Sequence, residues 1–195
     1  MFQIRIHGRG GQGVVTAAEL LSIAAFLDGK SAQAFPSFGA ERTGAPLTAF
    51  CRIDDKRIRL REPVMNPDAL IIQDATLLHQ SGTLEGLSDG GFLLINSSKD
   101  LGALGLLPVA ARLPDGHCVA VPASEIALEF IGKDVPNAVL LGAFAAMTGR
   151  VRLESVLTAI RRRFAGAPGD ANAKAAAEAF RSLNATMRRE RAFAD

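Results

Sequence analysis

Cysteine is scarce in this chain, and Trp and Tyr are missing. The 195 residues hold 2 Cys, no Trp and no Tyr. Two distant thiols, Cys51 and Cys118, cannot build a disulfide framework, an iron–sulfur cradle or an all-cysteine zinc site. The 3 His add no metal-ligand spacing. No apolar run reaches the roughly 18 residues a membrane span requires. Met1 to His7 lacks a charged segment followed by an apolar one. No signal peptide is therefore expected, and the chain reads as soluble and cytoplasmic. An excess of one charge sign is lacking too. With 22 Lys and Arg, 20 Asp and Glu, and 48% hydrophobic content, the chain is too apolar and too balanced to be disordered.

What is present fits one domain spanning residues 1–195, long enough to bury a substantial core. The charge is unevenly spread. Residues 150–195 carry 10 Lys and Arg against 5 Asp and Glu, a net of +5, while the rest of the chain nets −3. This basic tail is rich in Ala and Arg, both strong helix formers. It reads as an amphipathic helix from about 171 to 191, with Phe180, Leu183 and Met187 on one side. Partner-chain contact is its first reading. Nucleic-acid binding would want a groove-fitting motif or aromatics interleaved with Arg, and neither is there.

Along the body, apolar and polar residues alternate from Phe2 to Ile6, which predicts a strand. A glycine cluster follows, then helical spacing from Val14 to Leu27. Ala32 to Phe35 reads as a second strand. Leu47 to Ile53, a turn at Asp54-Asp55 and Arg57 to Leu60 read as a hairpin, which would make the sheet mixed. Short apolar runs at 69–72, 92–95 and 118–121 predict buried strands. Helices are expected from Ala123 to Ile131 with Ser124 as a cap, over 137–147, and over 153–164, with a break from Gly166 to Gly169. The expectation is an α/β fold: a three-layer, Rossmann-like mixed sheet flanked by helices, with a C-terminal helical segment.

Gly8-Arg9-Gly10-Gly11-Gln12-Gly13 sits between a strand and a helix, where G-x-G-x-x-G has physical meaning. Glycine lets a ligand approach the backbone, and the helix N-terminus offers unpaired N–H groups to an anion. A dinucleotide fingerprint also needs an acidic residue about 20 positions on, at the end of the second strand. Asp28 precedes that strand, which ends in Phe35-Pro36-Ser37, so a nicotinamide cofactor is discounted. The loop Phe35 to Pro46 holds two Phe, two Gly, two Pro and a Glu-Arg pair. Arg42 offers a planar fork for phosphate or carboxylate, and Ser37 and Thr43 offer hydroxyl donors. His7, at the end of the first strand, is expected to pack rather than act as acid or base. Cys51 and Cys118 are expected to be small core residues.

The glycine turn together with the Phe35–Pro46 loop resembles the gamma subunit of 2-oxoacid:ferredoxin oxidoreductases of the pyruvate:ferredoxin oxidoreductase type. Later segments agree: Pro67-Asp68 with Gln73-Asp74, Gly90-Gly91 through Asn96-Ser97, Val121-Pro122-Ala123, and Asn137 with Leu141-Gly142-Ala143 and Thr148-Gly149. The likeness spans about residues 2–180.

The resemblance implies a multi-subunit enzyme that decarboxylates a 2-oxoacid oxidatively to an acyl-CoA and passes electrons to ferredoxin or a similar acceptor. Alpha, beta and delta-type subunits would carry thiamine diphosphate, Mg and iron–sulfur clusters. This chain would help build the core and bind coenzyme A, without being catalytic alone. Plausible contacts are Gly8, Arg9, Gly10, Gly11, Gln12, Gly13, Ser37, Arg42, Thr43, Asn96 and Asn137. A free-standing nucleotide or acyl-CoA binding module is the alternative.

Overall fold

The computed structural model describes residues 1–37 and 43–194. Six strands form one sheet in the order β2-β3-β1-β4-β5-β6. They are β1 Phe2–Arg9, β2 Ser31–Pro36, β3 Pro46–Asp54, β4 Ala69–Ile72, β5 Phe92–Asn96 and β6 Cys118–Val121. β1, β4, β5 and β6 run parallel, whereas β3 lies antiparallel between β1 and β2. The helices are α1 Val14–Leu27, α2 Leu107–Ala110, α3 Ala123–Ile131, α4 Asn137–Thr148, α5 Leu153–Arg163 and α6 Ala167–Ala194, with a 3-10 turn at Ala75–His79.

Alternation sorts the two sheet faces. Ile4 and Ile6 of β1 and Ala49 and Cys51 of β3 point into the larger core with α1, α4, α5 and α6. Gln3, Arg5, His7 and Arg9 stand on the other face of β1, since successive side chains in a strand alternate. β4 and β5 are apolar on both faces because both are covered. Ala69 and Ile71 join the larger core, while Leu70 and Ile72 pack with Leu93, Ile95, Leu106 and Leu113 in a smaller one.

α4 is apolar all round and nearly wholly buried, as its sequence predicts. Gly142 lets α6 cross it closely, since a Cβ there would lie 1.9 Å from the Ala176 carbonyl oxygen. α6 packs through Ala173, Ala176, Ala179 and Leu183. Several arginines of the basic tail have partners within the chain. Arg152 pairs with Asp28, Arg161 with Asp170 and Arg181 with Glu178, and Arg150 lies over the Phe2 ring.

Three expectations need correcting. No strand forms at Arg57–Leu60, so the 47–60 hairpin does not exist. β3 pairs instead with β1 and β2, and the sheet is mixed for that reason. α6 begins at Ala167 rather than 171. Gly169 belongs to its first turn, where a Cβ would meet the Phe164 carbonyl oxygen at 1.9 Å. Ser124 is not the cap of α3, whose N-cap is Pro122. Asn96 of β5 accepts the Ser124 N–H instead, at 3.0 Å.

Candidate functional site

β1 continues through Arg9, so the glycine turn is tight. It leads into α1 through Gly13, whose φ of 72° is left-handed and suits glycine. Gly8 lies against α1: a Cβ there would sit 2.6 Å from Val14 Cγ2. The Gly10 N–H donates to Ala45 O at 2.9 Å, and Gly44 N–H donates to Gly10 O at 3.0 Å. Thr43 bridges Gly10, which brings the end of the second loop onto the turn. Gln12 N–H donates to Arg9 O, and its side-chain oxygen accepts the Arg9 N–H at 2.8 Å. Among the described residues, nothing accepts the N–H groups of Gly11 and Gly13. With the first turn of α1 they form a cluster of free donors at the positive end of a helix dipole. Gly11, Thr43 and Gly44 are exposed, so this cluster faces an open lip.

Arg9 is held from behind. Its Nε donates to Asp74 Oδ2 at 2.8 Å, one terminal nitrogen to Thr76 Oγ1 at 2.8 Å and the other to Gly44 O at 3.1 Å. Burial pushes the Asp74 carboxyl up, but bonds from the Thr76 hydroxyl and N–H and from Arg9 outweigh it and hold it below its ordinary value. Asn96 donates to Gln73 O and the Ser124 hydroxyl, both at 2.9 Å, tying β4, β5 and α3 together. Asn137, buried at the head of α4, donates to Gly13 O at 3.4 Å. Its own oxygen accepts the Ala138 N–H at 2.7 Å.

Most of the predicted positions thus meet at the C-terminal edge of the parallel strands, where open α/β sheets bind ligands. They are Gly8, Arg9, Gly10, Gly11, Gln12, Gly13, Thr43 and Asn137, with Asn96 joined through Gln73. Ser37 lies at the end of β2, on the same sheet edge but on the far side of β3, and its N–H donates to Thr48 O. Arg42 lies outside the described residues.

Gln73 and Asp74 stand out in the sequence only as a polar pair directly after an apolar strand, a pattern that assigns them no role. Gln73 is 1% exposed, and among the described residues neither atom of its side-chain amide has a partner. Each such orphaned group costs about 1–3 kcal/mol. It sits beneath the turn, its Cβ 3.2 Å from where a Gly8 Cβ would be.

The side chains set aside as reactive candidates are inert. Burial, and secondarily the charge of Arg5, pushes the His7 imidazole down to about 4. Its Nε2 accepts from Arg5 Nε at 3.0 Å, so the proton sits on Nδ1, 3.4 Å from Thr48 Oγ1. Burial drives the Cys51 thiol far up and the Cys118 thiol to about 11, so neither is a nucleophile near neutral pH. His117 is less superficial than its isolation in sequence suggests: it stacks on Phe92 with ring centres 3.8 Å apart. Asp28 lies at the far end of α1 from the glycine turn and accepts the Arg152 N–H at 2.7 Å and the Ser155 hydroxyl at 2.5 Å. Among the described residues, no helix is long and apolar enough to cross a membrane.

Residues 3–182 match the pyruvate ferredoxin/flavodoxin oxidoreductase family. The common gamma subunit of the pyruvate/ketoisovalerate oxidoreductases of Thermococcus kodakarensis is 49% identical over 180 residues, covering 92% of this chain and 96% of that one. The crystal structure of pyruvate oxidoreductase subunit PORC from Thermotoga maritima superposes with a TM-score of 0.76 at 39% identity, covering 92% of this chain and 95% of that one. A 2-oxoglutarate:ferredoxin oxidoreductase from Magnetococcus marinus, solved with 2-oxoglutarate, coenzyme A and succinyl-CoA bound, shares the fold. Its TM-score is 0.69 at 16% identity, covering 95% of this chain and 31% of that one.

Proposed function

The chain belongs to the pyruvate ferredoxin/flavodoxin oxidoreductase family as a gamma-type subunit of a 2-oxoacid oxidoreductase, and on that premise we propose that it positions coenzyme A for partner subunits that perform the redox chemistry. The assembled enzyme decarboxylates a 2-oxoacid oxidatively to an acyl-CoA and passes the electrons to ferredoxin or a similar acceptor. Relatives named for pyruvate and ketoisovalerate make pyruvate and branched-chain 2-oxoacids the first substrates to assay. Thiamine diphosphate, Mg and the iron–sulfur clusters belong to alpha, beta and delta-type partners. Cys51 and Cys118 stand on separate strands and supply no cluster ligand set. Among the described residues, no group of three His, Cys, Asp or Glu side chains gathers around a point that would hold a metal.

The observation that carries this reading is the exposed turn with free N–H groups at Gly11 and Gly13, above the unpartnered Gln73 amide. Backbone donors at a helix N-terminus suit the pyrophosphate of coenzyme A, and among the described residues nothing lies within 4 Å of where a Gly11 Cβ would be. The coenzyme A bound in the Magnetococcus marinus fold neighbour supports that choice of ligand. Arg9, steered by Asp74 and Thr76, adds positive potential beneath the turn. Arg42, Ser37 and Thr43 supply further donors along the second loop. Asn96 and Asn137 act as positioning residues that hold three helix heads in register. Coenzyme A supplies the thiol that accepts the acyl group, and holding that thiol in place lowers the entropic part of the barrier.

The test uses the complex purified with its partner chains. Changing Arg9→Ala and Arg42→Ala together should weaken coenzyme A binding about tenfold by titration calorimetry, a loss of about 1.4 kcal/mol. Decarboxylation measured without coenzyme A should be unchanged. An unaltered affinity in the double variant would overturn the reading.

A further inference from the structure

The segment between β3 and β4 has no regular secondary structure, yet it is firmly held. Arg52 of β3 is 2% exposed. It donates to Leu60 O at 3.5 Å and Glu62 O at 2.5 Å, while its Nε donates to Gln3 Oε1 at 3.0 Å. Arg5 of β1 is 7% exposed and donates to Val64 O and Met65 O, both at 3.3 Å. Two buried guanidinium groups therefore fix four carbonyls over residues 60–65.

Arg57, Arg59 and Arg61, which lead into this fixed stretch, are exposed. With Ile58 and Gln33 they line a shallow concavity of about 360 Å³. Among the described residues, none of the three pairs with a carboxylate. Two of the nearby acids are engaged elsewhere: Asp54 holds the N-terminal ammonium and Asp55 holds Lys30. Leu60, 42% exposed, lies within the row and Met65, 70% exposed, follows it. The basic tail, by contrast, pairs several of its arginines internally. The row thus adds a local patch of unpaired positive charge to the body, whose net charge is negative.

We propose that residues 57–65 form a docking platform for an acidic surface of another subunit of the same oxidoreductase. The proposal rests on the subunit reading above. Three guanidinium forks in a row suit Asp and Glu side chains, because each fork can take a carboxylate in two bonds. The held backbone from 60 to 65 limits the ordering cost of association at the Arg61 end of the row. Exposed Met and Leu beside Arg match the composition of protein interfaces. Nucleic acid fits less well, since the residues that line the concavity include no aromatic side chain on which a base could stack. The platform also leaves the glycine turn free. Arg52 pairs with Gln3, six residues along β1 from Arg9, a separation of about 20 Å at strand rise.

The experiment co-expresses the chain with its partner subunits and measures assembly by size-exclusion chromatography and equilibrium binding at low and high salt. The triple variant Arg57→Glu, Arg59→Glu, Arg61→Glu should weaken association at least a hundredfold. The corresponding triple Lys variant should recover most of that loss, and the wild-type affinity should fall with salt. The thermal midpoint and coenzyme A affinity of the charge-reversed chain should match the wild type. Assembly equal in the wild type and the reversed variant would overturn this inference alone. Association insensitive to salt, or binding of a double-stranded RNA probe as tight as partner binding, would also overturn it. A wild-type chain that assembles with no partner would overturn the subunit reading and this inference with it.

Discussion

Arg5 and Arg9 stand four residues apart on the same face of β1, and they are used in opposite ways. Among the described residues, Arg5 forms no ion pair and feels the Glu85 carboxylate only through space. It donates to the carbonyls of Val64, Met65, Gly82, Thr83 and Glu85, so five backbone dipoles surround one buried charge. Arg9 meets Asp74 and Thr76 at the partly exposed edge of the sheet and donates to Gly44 O beside the glycine turn. One end of the strand uses a cation to hold two loops down. The other uses a cation to shape a surface. Depth decides which: a buried guanidinium must satisfy its donors inside the protein, whereas one at the rim can share its field with a ligand.

This contrast is most directly broken at Arg5. Arg5→Met would leave five carbonyls without their donor and should cost about 3–5 kcal/mol, read as a shift in the urea midpoint without a change in slope. A loss below about 1 kcal/mol would mean the loops hold themselves and Arg5 is no clamp.

The next largest effect is one of pH. His7, wedged beside Arg5, titrates near 4 when folded against 6.5 for a free imidazole. Between those values the unfolded chain binds the extra proton, so stability rises with pH across that window. The contribution is complete above about pH 6.5, is lost as pH falls toward 4, and amounts to roughly 3 kcal/mol in total. Asp74, also held below its ordinary value, adds a loss in the same direction at lower pH. Urea titrations at pH 5 and pH 7.5 on the wild type and on His7→Gln separate the two. The variant should lose most of the slope above pH 5, and an unchanged slope would show that His7 does not carry it.

The smallest stability effect is expected at the turn. Gly13→Ala must adopt a left-handed φ, and its Cβ would approach Asn137 Nδ2 to 2.4 Å. A cost of about 1–2 kcal/mol follows. Coenzyme A affinity in the assembled enzyme should fall more than the thermal midpoint suggests. Equal binding by the variant would sharpen the contrast differently, by showing that the turn shapes the fold and not the ligand.

Much of the fold was legible in the residues. β6 lies where the short apolar run put it, α1 spans Val14–Leu27 as its spacing predicts, and α4 is buried all round. Local period and glycine punctuation suffice for such elements. The Arg57–Leu60 strand failed for a physical reason. Alternation of Arg with Ile and Leu imitates a half-buried strand, but both edges of β3 were already taken by β1 and β2. The candidate site was legible as a glycine turn, while the roles of its neighbours were not. Gln73 and Asp74 look like any polar pair after a strand. Only their place under the turn distinguishes them.

By itself, then, the sequence determined the alternation of strands and helices and the position of the glycine turn, because these depend on neighbours within a few residues. Tertiary structure alone decided what each polar side chain does. The carbonyls that hold Arg5 lie 59 to 80 residues away along the chain, and the Gly13 oxygen that meets Asn137 lies 124 residues away. A buried polar group must be satisfied by whatever the fold brings within about 3 Å. No local pattern of residues records which segment that will be.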